Sequence, residues 1–333
     1  MTLQDFLEDH ASDLSTPQAL GQCLRGMVKA GLDQLPLPGS GRTLERWQHL
    51  ARVAGHDLGL CKLFEGHTDA LATLRELGAK ALPLGSTWGM WAAEPPSARV
   101  LVHEVDGQIL ISGRKAWCSG AAVVSHGLLT AWDEHEHQQL VAVDMQQPGV
   151  SVSTDGWKAV GMGATDSVDV LFEGVPVQRV GKPGDYVQRP GFWQGAIGIA
   201  ACWHGAAFAL ATRLQSNCAQ RAEPHALAHL GAVDAALFSV RCLMAECARE
   251  LDQAPTANVQ HLARRARAHT EACVEEVMRH VGRALGAGPY CKEPHFARLM
   301  ADLPVFIRQS HAERDLHALG ELAAAETIRQ WPL

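Results

Sequence analysis

Hydrophobic positions along the chain change period twice, and the two changes mark out three regions. Up to about residue 80 the spacing is helical. Thr43 reads as an N-cap ahead of Leu44, Trp47, Leu50, Ala51, Val53 and Ala54, whose apolar side chains recur at i, i+3 and i+7. A second helix is expected over about 58–77, ending at Gly78, a residue suited to the left-handed closing position. From about 82 to 185 alternation replaces helical spacing. Val100-Leu101-Val102-His103-Glu104-Val105, then Asp106-Gly107, then Gln108-Ile109-Leu110-Ile111 predicts a hairpin closed by a type I′ turn. Further short strands are expected around Val123, around Val141 and over 168–172, which makes the middle region an antiparallel β domain.

Helical spacing returns from about Gly191. Alanine and leucine dominate 195–214, the mark of a helix buried on most sides. Pro224 opens the next helix, with Leu227, Leu230, Val233, Ala236, Leu237 and Val240 on its apolar face. A third covers about 258–285 and a fourth about 293–327, separated by Gly286-Ala287-Gly288-Pro289. The predicted organisation is an α+β protein. A short N-terminal helical domain spans 1–80, a central β domain 81–188 and a C-terminal four-helix bundle 189–333.

Bulk properties narrow the function classes. The chain has 333 residues, 47% of them hydrophobic and 20% charged, with a net charge of -7. That balance is an ordinary globular one and lacks the basic surface a nucleic-acid partner favours. No continuous apolar run reaches the roughly 18 residues of a membrane span. The first residues, Met1 to Glu8, lack the basic-then-apolar layout of a signal peptide. Nine cysteines without metal-like spacing suit reduced thiols. A cytoplasmic enzyme acting on a small molecule is the expectation. Asp133-Glu134-His135-Glu136-His137 lies between two predicted strands and reads as a solvated loop, so no metal site is expected. Cys242 and Cys247 read as helix packing.

Two motifs carry chemistry. One is Leu110-Ile111-Ser112-Gly113-Arg114-Lys115-Ala116-Trp117-Cys118-Ser119-Gly120. The other is Val160-Gly161-Met162-Gly163-Ala164-Thr165-Asp166-Ser167, running into Val168-Asp169-Val170-Leu171-Phe172-Glu173. In this order, between two helical regions, they resemble the acyl-CoA dehydrogenase family over about residues 42–325. The resemblance implies an acyl-CoA dehydrogenase-like fold and a flavin, FAD in the family's usual form, with FMN or loss of the flavin as the other outcomes. It implies that the Trp117 indole covers one face of the isoalloxazine and that the Ser119 hydroxyl points at N5. Trp91 and Ala93 fall on the family's neighbouring flavin-contacting segment. Arg221 falls on the arginine of the family's flavin-gripping Arg-x-x-Phe-Gly motif, whose Phe-Gly is lost here. Arg283 stands where the family has a glutamine, a second cation for the pyrophosphate, and Gly286 and Gly288 fall where backbone approaches the cofactor. A homodimer or homotetramer packed through the C-terminal helices is also implied.

The chain departs from the family where the reaction is carried out. In register, the catalytic glutamate falls on Ser310, followed by His311 and Ala312. Serine is far too weak a base to remove an α-proton unaided. The other position from which some members supply that acid lies in Pro190-Gly191-Phe192-Trp193-Gln194-Gly195, which holds none. The loop that holds the pantetheine arm is cut to Pro95-Pro96-Ser97-Ala98-Arg99. His311 and His67 are candidate replacements, being titratable near neutrality. Glu65 is a third candidate, weighed against an ordinary solvated position. Three readings therefore stand open: an oxidoreductase on an acyl thioester with a displaced base, a reduced-flavin monooxygenase, or a homologue without redox activity.

Overall fold

A computed structural model describes residues 1–10, 13–79 and 82–325. The expected boundary at 80/81 and the end of the last helix at 327 lie outside these residues. In chain order the first helices are α1 (Leu3–Asp9), α2 (Pro17–Lys29), α3 (Thr43–His56) and α4 (Leu58–Glu76). Strands follow as β1 (Trp88–Trp91), β2 (Val100–Val105), β3 (Gln108–Cys118), β4 (His126–Trp132), β5 (Gln138–Asp144), β6 (Val150–Val152), β7 (Val168–Pro176) and β8 (Gln178–Val180). The chain then returns to helix as α5 (Asp185–Gln188), α6 (Pro190–Gln220), α7 (Pro224–Gln253), α8 (Gln260–Leu285), α9 (Ala287–Lys292), α10 (Pro294–Phe306) and α11 (Glu313–Ala325).

The eight strands form one sheet in the order β6-β7-β3-β2-β4-β5-β8, with β1 also pairing β4. Asp106 and Gly107 both have positive φ, 50° and 76°, as a type I′ turn requires, and the β2–β3 register follows from it. The sheet is mixed rather than antiparallel throughout, because β1 and β2 both run parallel to β4. Pro95 and Pro96 lie between β1 and β2. They cannot donate to a ladder, so one course along β4 is split into two strands. The strand expected around Val123 is a turn in which the Val123 and Val124 N–H groups both donate to the Gly120 carbonyl.

The helical layer is built on close crossings. A Cβ at Gly205 of α6 would lie 2.1 Å from the Ala51 carbonyl of α3, so only glycine permits this approach. Trp47 and Trp203 are fully buried beside it. The α4 helix lies between this layer and the sheet, and 14 of its 19 residues are buried. Its stop is as predicted, with Gly78 at φ 67°.

Four local expectations need correction. Thr43 is the first helical residue of α3 rather than its cap. Its hydroxyl and N–H both donate to Asp252 of α7, at 2.6 and 3.1 Å, so a distant carboxylate satisfies the helix start. Leu227 is exposed, and the buried face of α7 runs instead through Ala226, Val233 and Val240. Of the cysteine pair on α7, Cys247 is buried and Cys242 is exposed. The helix expected over 293–327 is broken between α10 and α11. Ser310 Oγ accepts the Ala312 N–H at 3.1 Å, and Asp315 accepts the His311 N–H at 2.9 Å. Side chains there compete for the backbone donors a continuous helix would use.

Candidate active site

The β3–β7 pairing slips twice. The first slip is at Gly113, where φ is 124° and a Cβ would meet the Arg99 carbonyl at 2.3 Å. The second lies between Lys115 and Cys118 and sets the site. Lys115 is only 1% exposed, and strict alternation would bury Trp117 with it. The bulge prevents this: Trp117 takes φ 57° and its ring is turned out, 57% exposed. A bulky residue in the left-handed region costs about 1–3 kcal/mol, and such strain concentrates at ligand sites.

A second indole of this region, Trp91, is buried. It lies over Gly89 and Gly127, where added Cβ atoms would fall 2.4 Å from the ring. Its indole N–H donates to the Ser119 carbonyl at 3.1 Å. Ser119 Oγ is 2.7 Å from Ser167 Oγ, which is 2.9 Å from Thr165 Oγ1; Thr165 in turn donates to the Met162 carbonyl at 2.7 Å. The two sequence motifs therefore meet through their hydroxyls. Lys115 supports the bulge from below, donating to Glu94 at 2.6 Å and to the Thr130 carbonyl and hydroxyl at 2.9 and 2.7 Å. Burial lowers the pKa of this ammonium and Glu94 opposes the shift. Ala93 is half-buried beside Glu94 and has no hydroxyl to offer.

A narrow cleft opens at Ser119, lined also by Lys62 and Gly66 of α4, Trp91 and Val124. Lys62 pairs with Glu65 at 2.5 Å. Glu65 is 6% exposed, so it is no solvated surface residue. Gln309 Nε2 reaches the same carboxylate at 3.5 Å, joining the α4 wall to the α10–α11 turn. Lys62 was missed by the sequence reasoning; a Lys–Glu pair at i and i+3 inside a buried helix was the available signal.

The candidate bases divide differently from expectation. His67 is fully buried, its Nδ1 accepting the Trp88 N–H and its Nε2 donating to Asp33, both at 3.2 Å. With both nitrogens engaged it ties α4 to β1 and to the segment after α2, and it has no free position for a substrate proton. Ser310 and His311 share one turn but face apart. Ser310 is buried at a second cleft bordered by Trp193, Arg264, Arg267 and Asp315, while the His311 ring is exposed to solvent. Neither touches Trp117 or Ser119 among the described residues.

The cofactor residues expected on the helices gather elsewhere. Arg221 follows α6, Arg283 lies in the last turn of α8, and both are exposed without ion pairs among the described residues. The end of α8 runs beside the start of α7, shown by the 2.8 Å contact of His229 with His280, so these arginines share one end of the bundle. Gly286 ends α8 with φ 64°. Gly288 sits inside α9 in an ordinary conformation, so no backbone need for glycine holds there. Asp133 to His137 forms the solvated β4–β5 loop, and no group of three metal-ligating side chains occurs among the described residues.

N-terminal helices, a central mixed sheet and C-terminal helices in this order make the fold acyl-CoA dehydrogenase-like. The solved structure of KijD3 in complex with FMN and a dTDP-amino-keto sugar superposes with a TM-score of 0.81 at 20% identity, covering 99% of this chain and 93% of that one. Among curated proteins, the probable FMNH2-dependent monooxygenase SfnC of Pseudomonas putida is 31% identical over 188 residues. That match takes in 50% of this chain and 47% of SfnC, about half the length of the relative. The amino sugar nitrososynthase DnmZ of Streptomyces peucetius is 27% identical over 301 residues, 76% of this chain and 72% of that protein. No protein-family profile matches the chain.

Proposed function

We propose that this chain is a reduced-flavin-dependent monooxygenase that uses FMN and acts on a small molecule. The observation that carries the reading is the strained, outward Trp117 beside the Ser119 hydroxyl, in a chain whose register position for the family's catalytic glutamate is Ser310. The first feature supports a flavin, and the second speaks against α-proton removal from an acyl thioester. FMN in place of FAD is supported by its presence in the KijD3 complex and by the FMNH2 dependence attributed to SfnC.

The residues fit such a group. Trp117 offers an exposed aromatic face on which an isoalloxazine can stack, Ser119 a hydroxyl held in one direction, and Lys62 a cation at the edge of the cleft. Reduced flavin, when bound, supplies the electrons for dioxygen activation. The chain's part is to hold the ring against Trp117, orient its edge at Ser119 and keep water out with Leu63, Val124 and the α4 wall.

Assembly is part of the proposal. By length and mean hydropathy α6 and α7 could each cross a membrane, but α6 is the core helix of the fold. Only 17% of the most apolar window of α7 is buried. Its open face carries Leu227, Gly231, Ala235, Phe238, Cys242 and Ala245, a stripe suited to packing against a second copy. A dimer formed there leaves Arg221 and Arg283 at its margin, available to the FMN phosphate.

The test is an anaerobic titration of the purified protein with reduced FMN, followed by flavin absorbance after gel filtration. Saturable binding at about one FMN per chain, with oxygen consumption on admission of air, is expected. A protein that retains neither oxidised nor reduced FMN would refute the reading. Flavin bleaching by a CoA thioester without oxygen would restore the dehydrogenase reading, with Glu65 the acid within reach of the cleft.

A further inference from the structure

Resting on the flavin reading above, we infer that the hydroxyl chain Ser119–Ser167–Thr165 makes the site selective for reduced over oxidised flavin. The argument is one of proton counting. A carbonyl has no proton, so the 2.7 Å contact between Thr165 Oγ1 and the Met162 carbonyl uses the single Thr165 hydroxyl proton. The 2.9 Å contact of Thr165 Oγ1 with Ser167 Oγ must then use the proton of Ser167. That leaves Ser119 as the only donor for its 2.7 Å contact with Ser167. Each hydroxyl has one proton, and all three are committed inward. Ser119 Oγ therefore faces the cleft with lone pairs alone.

The consequence reverses the polarity that the family resemblance implies, in which this hydroxyl donates towards N5. Oxidised flavin presents a lone pair at N5 and reduced flavin presents an N–H. An acceptor at Ser119 pairs with the reduced ring and opposes the oxidised one. Thr165 and Ser167 act as positioning residues, since they set the direction of the Ser119 hydroxyl without reaching the cleft themselves. Their burial, at 1% and 6% exposure, keeps water from supplying alternative partners. One matched hydrogen bond against one mismatched pair is worth up to about tenfold in affinity.

The midpoint potential of bound FMN measures this directly and does not depend on turnover. A tenfold preference for the reduced form raises the potential by about 30 mV over free FMN, for a two-electron couple. Ser167→Ala frees the Ser119 proton to turn towards the cleft, and the potential should fall by about the same amount. Ser119→Ala removes the acceptor and should also lower it, which covers a Ser167 variant that does not fold. Thr165→Ser retains the anchoring hydroxyl and should keep the potential of the unaltered protein. Potentials unmoved in both alanine variants, or tighter binding of oxidised than reduced FMN by the unaltered protein, overturn the inference alone. No FMN binding in either state removes the proposed function with it.

Discussion

Replacing Lys115 by methionine tests whether the outward Trp117 is supported from beneath. The ammonium is buried and donates to three acceptors: Glu94, the Thr130 carbonyl and the Thr130 hydroxyl. Methionine fills most of the volume but supplies no donor. Glu94 would keep the Trp132 indole N–H at 3.0 Å and the Thr130 hydroxyl while losing its ion-pair partner. Breaking a buried pair from one side costs about 3–5 kcal/mol. The Glu94 side chain is 24% exposed, so water recovers part of that and the lower end, about 3 kcal/mol, is expected. Adding Glu94→Gln in the same chain removes the stranded charge and should return about half of the loss. Urea unfolding followed by far-UV circular dichroism is the assay. With a slope of about 3 kcal/mol/M, the midpoint should drop by about 1 M in Lys115→Met and by roughly half as much in the double variant. A single variant less than about 1 kcal/mol weaker would refute the reasoning. The same holds if the double variant is weaker still.

Two further predictions concern the site and pH. Trp117→Ala should weaken FMN binding at least about tenfold while leaving the urea midpoint unchanged or slightly higher, because an exposed ring is lost and left-handed strain is eased; a core-sized loss of stability would place the indole inside. Asp302 has its carboxyl pKa raised to about 6 by burial, with the Met162 N–H bond and Arg298 opposing and Asp57 adding to the rise. A proton is thus held more tightly in the folded state, so this group's contribution is largest below about pH 4 and is lost as pH rises through about 6. Asp302→Asn keeps an acceptor for Met162 and should be about 1–3 kcal/mol more stable than the unaltered protein at pH 7.5, the gain shrinking by pH 4.5. Equal stability differences at both pH values would sink that account.

Much of the fold was legible in local patterns. The Asp106-Gly107 hairpin, the stop at Gly78 and the start at Pro224 follow from backbone preferences that each residue carries wherever it is placed. The misses have a common origin. Thr43 lost its capping role to Asp252, more than two hundred residues away, and α11 was split from α10 by Ser310 and Asp315. Those outcomes depend on which groups are brought within hydrogen-bonding distance, and spacing along the chain does not encode that.

The site divides along the same line. The residue types at Trp117 and Ser119, and the loss of the glutamate at 310, are properties of the sequence read by itself. It also sufficed for the helix–sheet–helix order, because hydrophobic period is a local quantity. Only the tertiary structure decided that His67 is sealed between Trp88 and Asp33, that His311 faces solvent while Ser310 does not, and that Lys62 at the cleft pairs with a buried Glu65. It alone turned Trp117 outward and set the direction of the Ser119 hydroxyl. A ring's exposure and a hydroxyl's donor role are fixed by neighbours from other strands and helices, here Lys115 with Glu94 and Ser167 with Thr165, and those neighbours exist only once the chain has folded.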